Sequence, residues 1–372
     1  MKLHRFGSAF ALAAAASLTL SACGDDTPTA TGSGSDEPAA GTAAGGDLTG
    51  TLKGSGASSQ NSAMTAWIAG YQDVQPGVTV TYDAIGSGGG RENLLAGAVD
   101  FAGSDAFLDE TEAEDVKEFC GDGGALNIPV YISPVAIPYN LPGVDALNLK
   151  PDVLAQIFDQ QITTWNDPAI AADNPDAELP DTDITVVNRS DESGTTENFM
   201  EYLSAAAPDS WSYEADKVWP VGGGEAAAQT TGVIQVVGST EGAIGYSDAS
   251  AIGDLSTAAI GVGEEFTEYS AEGAAKVVDK SEPADTGIEG DLALDLARDT
   301  TESGAYPIVL VSYHIVCSEY ADAAKADLVK DFVGYVLSED GQQAAADAAG
   351  SAPISDDLRG KAEESLSMVS GG

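Results

Sequence analysis

Positive charge is what this chain has least of. Lysine and arginine together number 15 against 60 aspartates and glutamates in 372 residues, a formal net charge of −45 at neutral pH. Such a surface repels polyanions, which excludes nucleic acid as a partner and excludes binding to anionic lipid by charge alone. Histidine numbers 2 and cysteine 3, too few and too widely spaced for a Cys/His metal set. No G-x-S-x-G nucleophile elbow and no G-x-x-x-x-G-K-[ST] phosphate loop occurs. His4 lies in a leader-like segment, so His314 is the one histidine left for acid–base work. It sits in the apolar, strand-like run from Ile308 to Cys317, where a hydrogen-bonded structural histidine is expected. Acid pairs such as Asp181 and Asp183 are expected by chance among so many carboxylates. Neither an enzyme nor a bound metal or cofactor is predicted.

What is present begins with an export signal. M-K-L-H-R is basic, Phe6 to Leu20 is mostly apolar, and the run ends in Leu20-Ser-Ala-Cys23. The apolar stretch is too short for an ordinary transmembrane helix. Leu-Ser-Ala-Cys resembles the bacterial lipobox, which implies a signal peptide over residues 1–22, acylation of Cys23 as the new first residue, and anchoring on the outer face of the cell membrane. A simple secreted protein with a chance cysteine is the alternative. Residues 23–46 are Gly, Ser, Thr, Ala, Pro and acids with almost no large apolar side chain, so they cannot bury a core and read as a flexible tether. Losing the signal removes Lys2 and Arg5 and no acid, leaving 13 bases against 60 acids, or −47.

With 43% hydrophobic residues, the remainder is long enough for two domains or one large discontinuous one. One local design recurs three times within it. After a strand candidate at 48–53, Gly54-Ser-Gly-Ala-Ser-Ser-Gln-Asn-Ser leads into Met64, Trp67, Ile68 and Tyr71, the apolar face of a helix. After Val78 to Ile85, alternating as a strand does, Gly86-Ser-Gly-Gly-Gly-Arg leads into Leu94, Leu95, Ala98 and Val99. After Ile184 to Val187, Asn188-Arg-Ser-Asp-Glu-Ser-Gly-Thr-Thr leads into Phe199, Met200 and Leu203. Each loop places unpaired backbone N–H groups and hydroxyls at a helix start behind a strand, where open α/β sheets bind ligands and where anions are favoured. Singly, each loop also reads as ordinary capping. A fourth piece, Val99-Asp-Phe-Ala-Gly-Ser-Asp-Ala106, places Asp105 in a small-residue turn, either as a helix cap or as a carboxylate facing an anion that has a proton to donate.

These stretches, with I-T-T-W-N-D-P at 162–168 and E-G-A-I-G-Y at 241–246, resemble in order the phosphate-binding lipoproteins of the Pst-type ABC uptake transporter. The resemblance implies an α/β fold of two lobes joined by two crossing segments, with phosphate in the cleft between them. Lobe 1 would combine 47–132 with 309–372 and lobe 2 would span 133–308, the crossings lying near Val130 to Tyr139 and Tyr306 to Tyr313. Carried over residue by residue, the ligand set is Ser58, Ser59, Ser87, Asp105, Arg189, Ser193, Gly194 and Thr195, with Asp191 holding the arginine. Ser58 and Ser59 replace a Thr-Phe pair, so Ser59 is expected to offer its backbone donor. Inorganic phosphate, an ABC permease and the membrane, through the lipid anchor, are the implied partners. Cys120 and Cys317 then fall in the same lobe of an exported protein, as a disulfide or as two buried thiols.

Other readings remain at this stage: sulfate, molybdate or phosphonate as ligand, an exported phosphatase, or display of an adhesive surface. The acidic runs at 263–268 and 279–291 are expected to be solvated faces.

Overall fold

The computed structural model describes residues 48–372, so the signal peptide, Cys23 and the tether lie outside the described residues. Apolar alternation builds the first sheet. In β2 (Val78–Ala84), Val78 and Val80 are buried while Thr79 and Thr81 face solvent. β2 pairs in parallel with β1 (Gly50–Gly56), and β1 pairs in parallel with β3 (Phe101–Ser104). The long strands β4 (Ala125–Ala136) and Val309–Cys317 run antiparallel to each other and are buried at every position. The six-stranded order is Ser247–Asp248, β4, Val309–Cys317, β3, β1, β2. β4 passes residue 133 without interruption, and Ser247–Asp248 joins it at Val135 and Ala136.

A second, five-stranded sheet has the order Ser256–Thr257, Pro138–Tyr139, Ala243–Gly245, Thr185–Arg189, Glu225–Ala227. Its strand Thr185–Arg189, between Ala243–Gly245 and Glu225–Ala227, is parallel to both neighbours. All of this lies within a single compact unit.

Helices follow the strands as their apolar spacing predicts. α1 (Asn61–Val74) buries Met64, Trp67 and Tyr71, and the helix Gly194–Ala206 buries Phe199, Met200 and Leu203. α2 (Ser87–Leu95) is shorter than its pattern implies: Gly97 turns with φ +64°, leaving Ala98 exposed and Val99 buried beyond the helix. A glycine in the left-handed region ends a helix at little cost, which overrides the apolar spacing. The first strand also starts later than 48 and runs to Gly56.

Cys120 and Cys317 are joined, tying the short helix Lys117–Cys120 to the end of a central strand. His314 is fully buried among Trp67, Phe101 and Phe332. Contrary to expectation, neither of its ring nitrogens has a hydrogen-bond partner. The antiparallel strand aims it into an aromatic cluster that offers no acceptor, and burial pushes its pKa down to about 3. The runs at 263–268 and 279–291 are mostly solvated.

Candidate functional site

The three loops meet around Asp105. At the first, Gly56 has φ +143°, and a Cβ there would lie 1.9 Å from the Gly103 carbonyl oxygen. Only glycine lets the chain turn so close to β3. The turn delivers Ser59 Oγ to Asp105 Oδ1 at 2.6 Å. Ser58 Oγ shares a 2.8 Å hydrogen bond with Thr230 Oγ1 and accepts from the Thr230 N–H at 3.1 Å.

At the second loop, Ser87 opens α2 and its Oγ accepts from the Asp105 N–H at 3.1 Å. At the third, Ser193 caps the helix Gly194–Ala206, its Oγ accepting from the Thr196 N–H at 3.2 Å. The Ser193 N–H is committed to the Lys217 carbonyl at 2.9 Å. Thr195 Oγ1 donates to Asp105 Oδ2 at 3.0 Å. A Cβ on Gly194 would lie 2.7 Å from Ser87 Oγ and 2.8 Å from Asp105 Cβ, so the missing side chain is what lets this helix start reach the others. First-turn N–H groups lack intrahelical acceptors, and α1, α2 and this helix all begin here.

Arg189 ends the strand Thr185–Arg189 of the second sheet and is 4% exposed. Its Nε donates to Asp191 Oδ1 at 2.8 Å and its Nη2 to Asp191 Oδ2, a bidentate clamp that fixes the guanidinium plane. Asp191 Oδ1 also accepts from the Gln229 N–H at 2.9 Å. Burial alone would raise the Asp191 pKa, but the hydrogen bonds and charge of Arg189, with the Gln229 amide, outweigh it and hold the carboxyl below its usual range. For Asp105 the balance is reversed. Burial pushes its pKa up, against hydrogen bonds from Ser312, Ser59 and Thr195 and the charge of Arg189.

The neighbouring cations are neutralised in place. Arg91 meets Glu112 at 2.8 Å, Lys217 meets Glu112 and Glu192 at 3.2 and 3.1 Å, and Arg298 meets Glu201 at 2.5 Å. A cavity of about 570 Å³ also touches Asp105, but Asp109, Glu197, Glu201, Asp285 and Asp295 line it, the wrong sign for an anion. The arrangement suited to an oxyanion is therefore the convergence of hydroxyls, helix-start amides and one clamped guanidinium. All eight residues predicted for the site and the supporting Asp191 are brought together; Ser58 and Asp191 are half-buried and the rest buried.

Four further residues enter that sequence reasoning missed. Thr230 lies in the first turn of the helix Gln229–Ser239 behind the strand Glu225–Ala227, a fourth strand–loop–helix junction whose Thr-Thr-Gly run was the available signal. Asn198 Nδ2 ties the Asp105 and Gly194 carbonyls together at 2.6 and 2.8 Å. Ser312 Oγ donates to Asp105 Oδ1 at 2.6 Å, and Gln60 Nε2 donates to Ser312 Oγ at 2.6 Å. Ser312 sits inside an apolar run and carries no sequence signal.

Residues 32–340 match the PBP superfamily domain. The chain is 37% identical over 379 residues to the phosphate-binding protein PstS3 of Mycobacterium bovis BCG, covering 99% of this chain and 100% of the relative. It is 38% identical over 375 residues to phosphate-binding protein PstS 3 of Mycobacterium leprae, with the same coverage. Among solved structures, the phosphate-binding protein of Stenotrophomonas maltophilia superposes with a TM-score of 0.66 at 22% identity, over 85% of this chain and 94% of that one. A high-affinity periplasmic phosphate-binding protein, PfluDING, solved with phosphate bound, superposes with a TM-score of 0.70 at 21% identity, over 84% and 93%. The bilobal periplasmic-binding-protein fold and the identity across nearly the whole chain place it in one family: the chain belongs to the PstS phosphate-binding proteins.

Proposed function

We propose that the chain captures inorganic phosphate outside the cell membrane and delivers it to an ABC import permease, without turning it over. One observation carries the reading: three helix starts and a clamped arginine converge on a buried carboxylate. Neutral donors at helix starts hold a dehydrated oxyanion by short-range bonds and need no positive field. At physiological salt, surface charge is screened beyond roughly 8 Å, so the acidic exterior does not prevent binding.

Ser58, Ser59, Ser87, Ser193, Gly194 and Thr195 act as donors, with Ser193 contributing its hydroxyl because its N–H is already used. Arg189, oriented by Asp191, supplies the guanidinium donor. Asp105 accepts the phosphate hydrogen, and a buried acceptor left without its partner discriminates against fully ionised sulfate by about 10⁴ in favourable cases. Residues 47–132 with 309–372 form one lobe and 133–308 the other, and they close over the anion by hinge motion. Cys23 is acylated and residues 23–46 tether the folded body to the outer face of the membrane.

Calorimetric titration of the chain with phosphate, arsenate and sulfate side by side tests the reading. Phosphate is expected to bind with micromolar affinity or tighter, about −8 kcal/mol or beyond, arsenate similarly and sulfate far more weakly. Equal affinity for sulfate and phosphate refutes it, as does turnover of a chromogenic phosphate ester.

A further inference from the structure

Behind the groups assigned to the anion, Ser312 bonds the carboxylate and Gln60 bonds Ser312. Gln60 is fully buried just ahead of α1, and its Nε2 lies 3.1 Å from the Tyr313 carbonyl oxygen and 2.6 Å from Ser312 Oγ. A carbonyl oxygen only accepts, so the atom facing Tyr313 is the amide NH₂, and the orientation of the Gln60 amide follows. One amide hydrogen serves Tyr313 and the other serves Ser312, which is thereby made an acceptor toward Gln60. The single Ser312 hydrogen must go elsewhere, and Asp105 Oδ1 is 2.6 Å away. The register of Val309–Cys317 against β4 shifts between Ser312 and Tyr313, an irregularity of the kind that re-aims a side chain. Ser59 Oγ donates to the same oxygen, so Oδ1 receives two hydroxyl hydrogens while Oδ2 receives only that of Thr195.

We propose that Gln60 and Ser312 are positioning residues for Asp105: they hold Oδ1 as a saturated acceptor and leave Oδ2 as the oxygen that takes the hydrogen of a protonated oxyanion. The proposal rests on the phosphate reading above. Its consequence is for protonation. Hydrogen bonds donated to a carboxylate favour the ionised form, whereas burial favours the neutral one. The other charged or titratable groups facing Asp105 are Arg189 from Thr185–Arg189, which favours ionisation, Asp248 from the strand beside β4, and Tyr82 from β2. A neutral Asp105 would donate instead of accept, and would then welcome sulfate. Ser312 helps keep it an acceptor.

The test titrates phosphate and sulfate into the full chain from about pH 5 to about pH 8, for wild type, S312A, S312T and Q60L. S312A is expected to lower the phosphate-over-sulfate affinity ratio roughly tenfold and to move the pH at which discrimination fails upward. S312T, which keeps the hydroxyl, is expected to restore both. Q60L frees the Ser312 hydroxyl to turn and is expected to shift the ratio in the same direction by a smaller factor. If both anions weaken by the same factor at every pH, the residues serve packing alone and the proposal is overturned. Should S312A not fold, Q60L decides by the same comparison. An NMR titration of the Asp105 carboxyl without any anion separates the two levels of argument. A higher midpoint in S312A than in wild type is expected, and an unchanged midpoint overturns the proposal. Wild type that binds neither anion overturns the phosphate reading instead.

Discussion

Asp105→Asn is the sharpest perturbation of the proposed selectivity, because it changes one atom in a fully specified environment. Asp105 is 3% exposed, with Ser59 and Ser312 donating to Oδ1 at 2.6 Å each and Thr195 to Oδ2 at 3.0 Å. The two hydroxyls on Oδ1 retain an acceptor if the asparagine oxygen stays there, which places the new NH₂ at the former Oδ2. The Thr195 hydroxyl can rotate to accept from it, so folding is expected to survive. The contact with the anion is inverted. Phosphate loses the acceptor for its hydrogen, a charge-assisted bond of about 1.5–3 kcal/mol, and its affinity should fall roughly 10- to 100-fold. Sulfate meets a donor where it met a carboxylate and should gain, so the ratio between the anions should fall by more than either change alone. Calorimetry with phosphate, sulfate and arsenate on wild type and D105N measures all three constants. An unchanged phosphate-to-sulfate ratio refutes the role assigned to Asp105, whatever happens to the separate affinities.

Other perturbations test other parts of the structure. D191A releases Arg189 from its bidentate clamp and is expected to weaken phosphate binding about tenfold, the effect of one charge-assisted bond, with little change in the sulfate ratio; wild-type affinity would show that the clamp is dispensable. The same pair gives a pH signature: the Asp191 pKa is depressed in the fold, so its stabilisation is present above the unfolded carboxylate pKa and is lost as pH falls through the lower folded value. His314 works in the same sense, over a higher pH range. Its folded pKa of about 3 lies below an unfolded value of about 6.5, so the unfolded chain binds the extra proton first and stability falls with pH between those limits, by about 2 kcal/mol at pH 5. H314F loses no hydrogen bond and should remove that increment in urea denaturation at pH 7 and pH 5; an identical pH dependence in both proteins contradicts the assignment. C120S with C317S opens a link spanning 197 residues and should cost about 2–4 kcal/mol, while mass mapping without reductant should recover the two peptides joined.

Much of the site was legible before folding because helix-start chemistry is local. The Gly-Ser and Ser-Gly-Thr turns and the nearby Arg189 are recognisable from neighbours in sequence, since a cap involves groups only a few positions away; Asp191 as the partner of Arg189 came from the family resemblance. The strands β1, β2 and Thr185–Arg189 and the buried faces of α1 and of Gly194–Ala206 follow from apolar spacing for the same reason, whereas the two-lobe arrangement came from the family resemblance. Where local signals conflicted, as where Gly97 cuts short the apolar pattern after α2, spacing alone misplaced the helix end.

Tertiary structure decided the rest, because it rests on contacts between distant parts of the chain. Gln60 reaches Ser312 across 252 positions, Ser312 reaches Asp105 across 207, and Thr230 reaches Ser58 across 172. None of these pairings is encoded by a neighbour. Strand register and a local shift beside Ser312 choose which hydroxyls face the carboxylate, and the same strand carries His314 into a cluster without an acceptor. The sequence by itself determined where helix starts carry unpaired amides and hydroxyls, since that depends on residue type and local turn. The fold alone decided how Asp105 is surrounded, since that depends on which strands lie side by side.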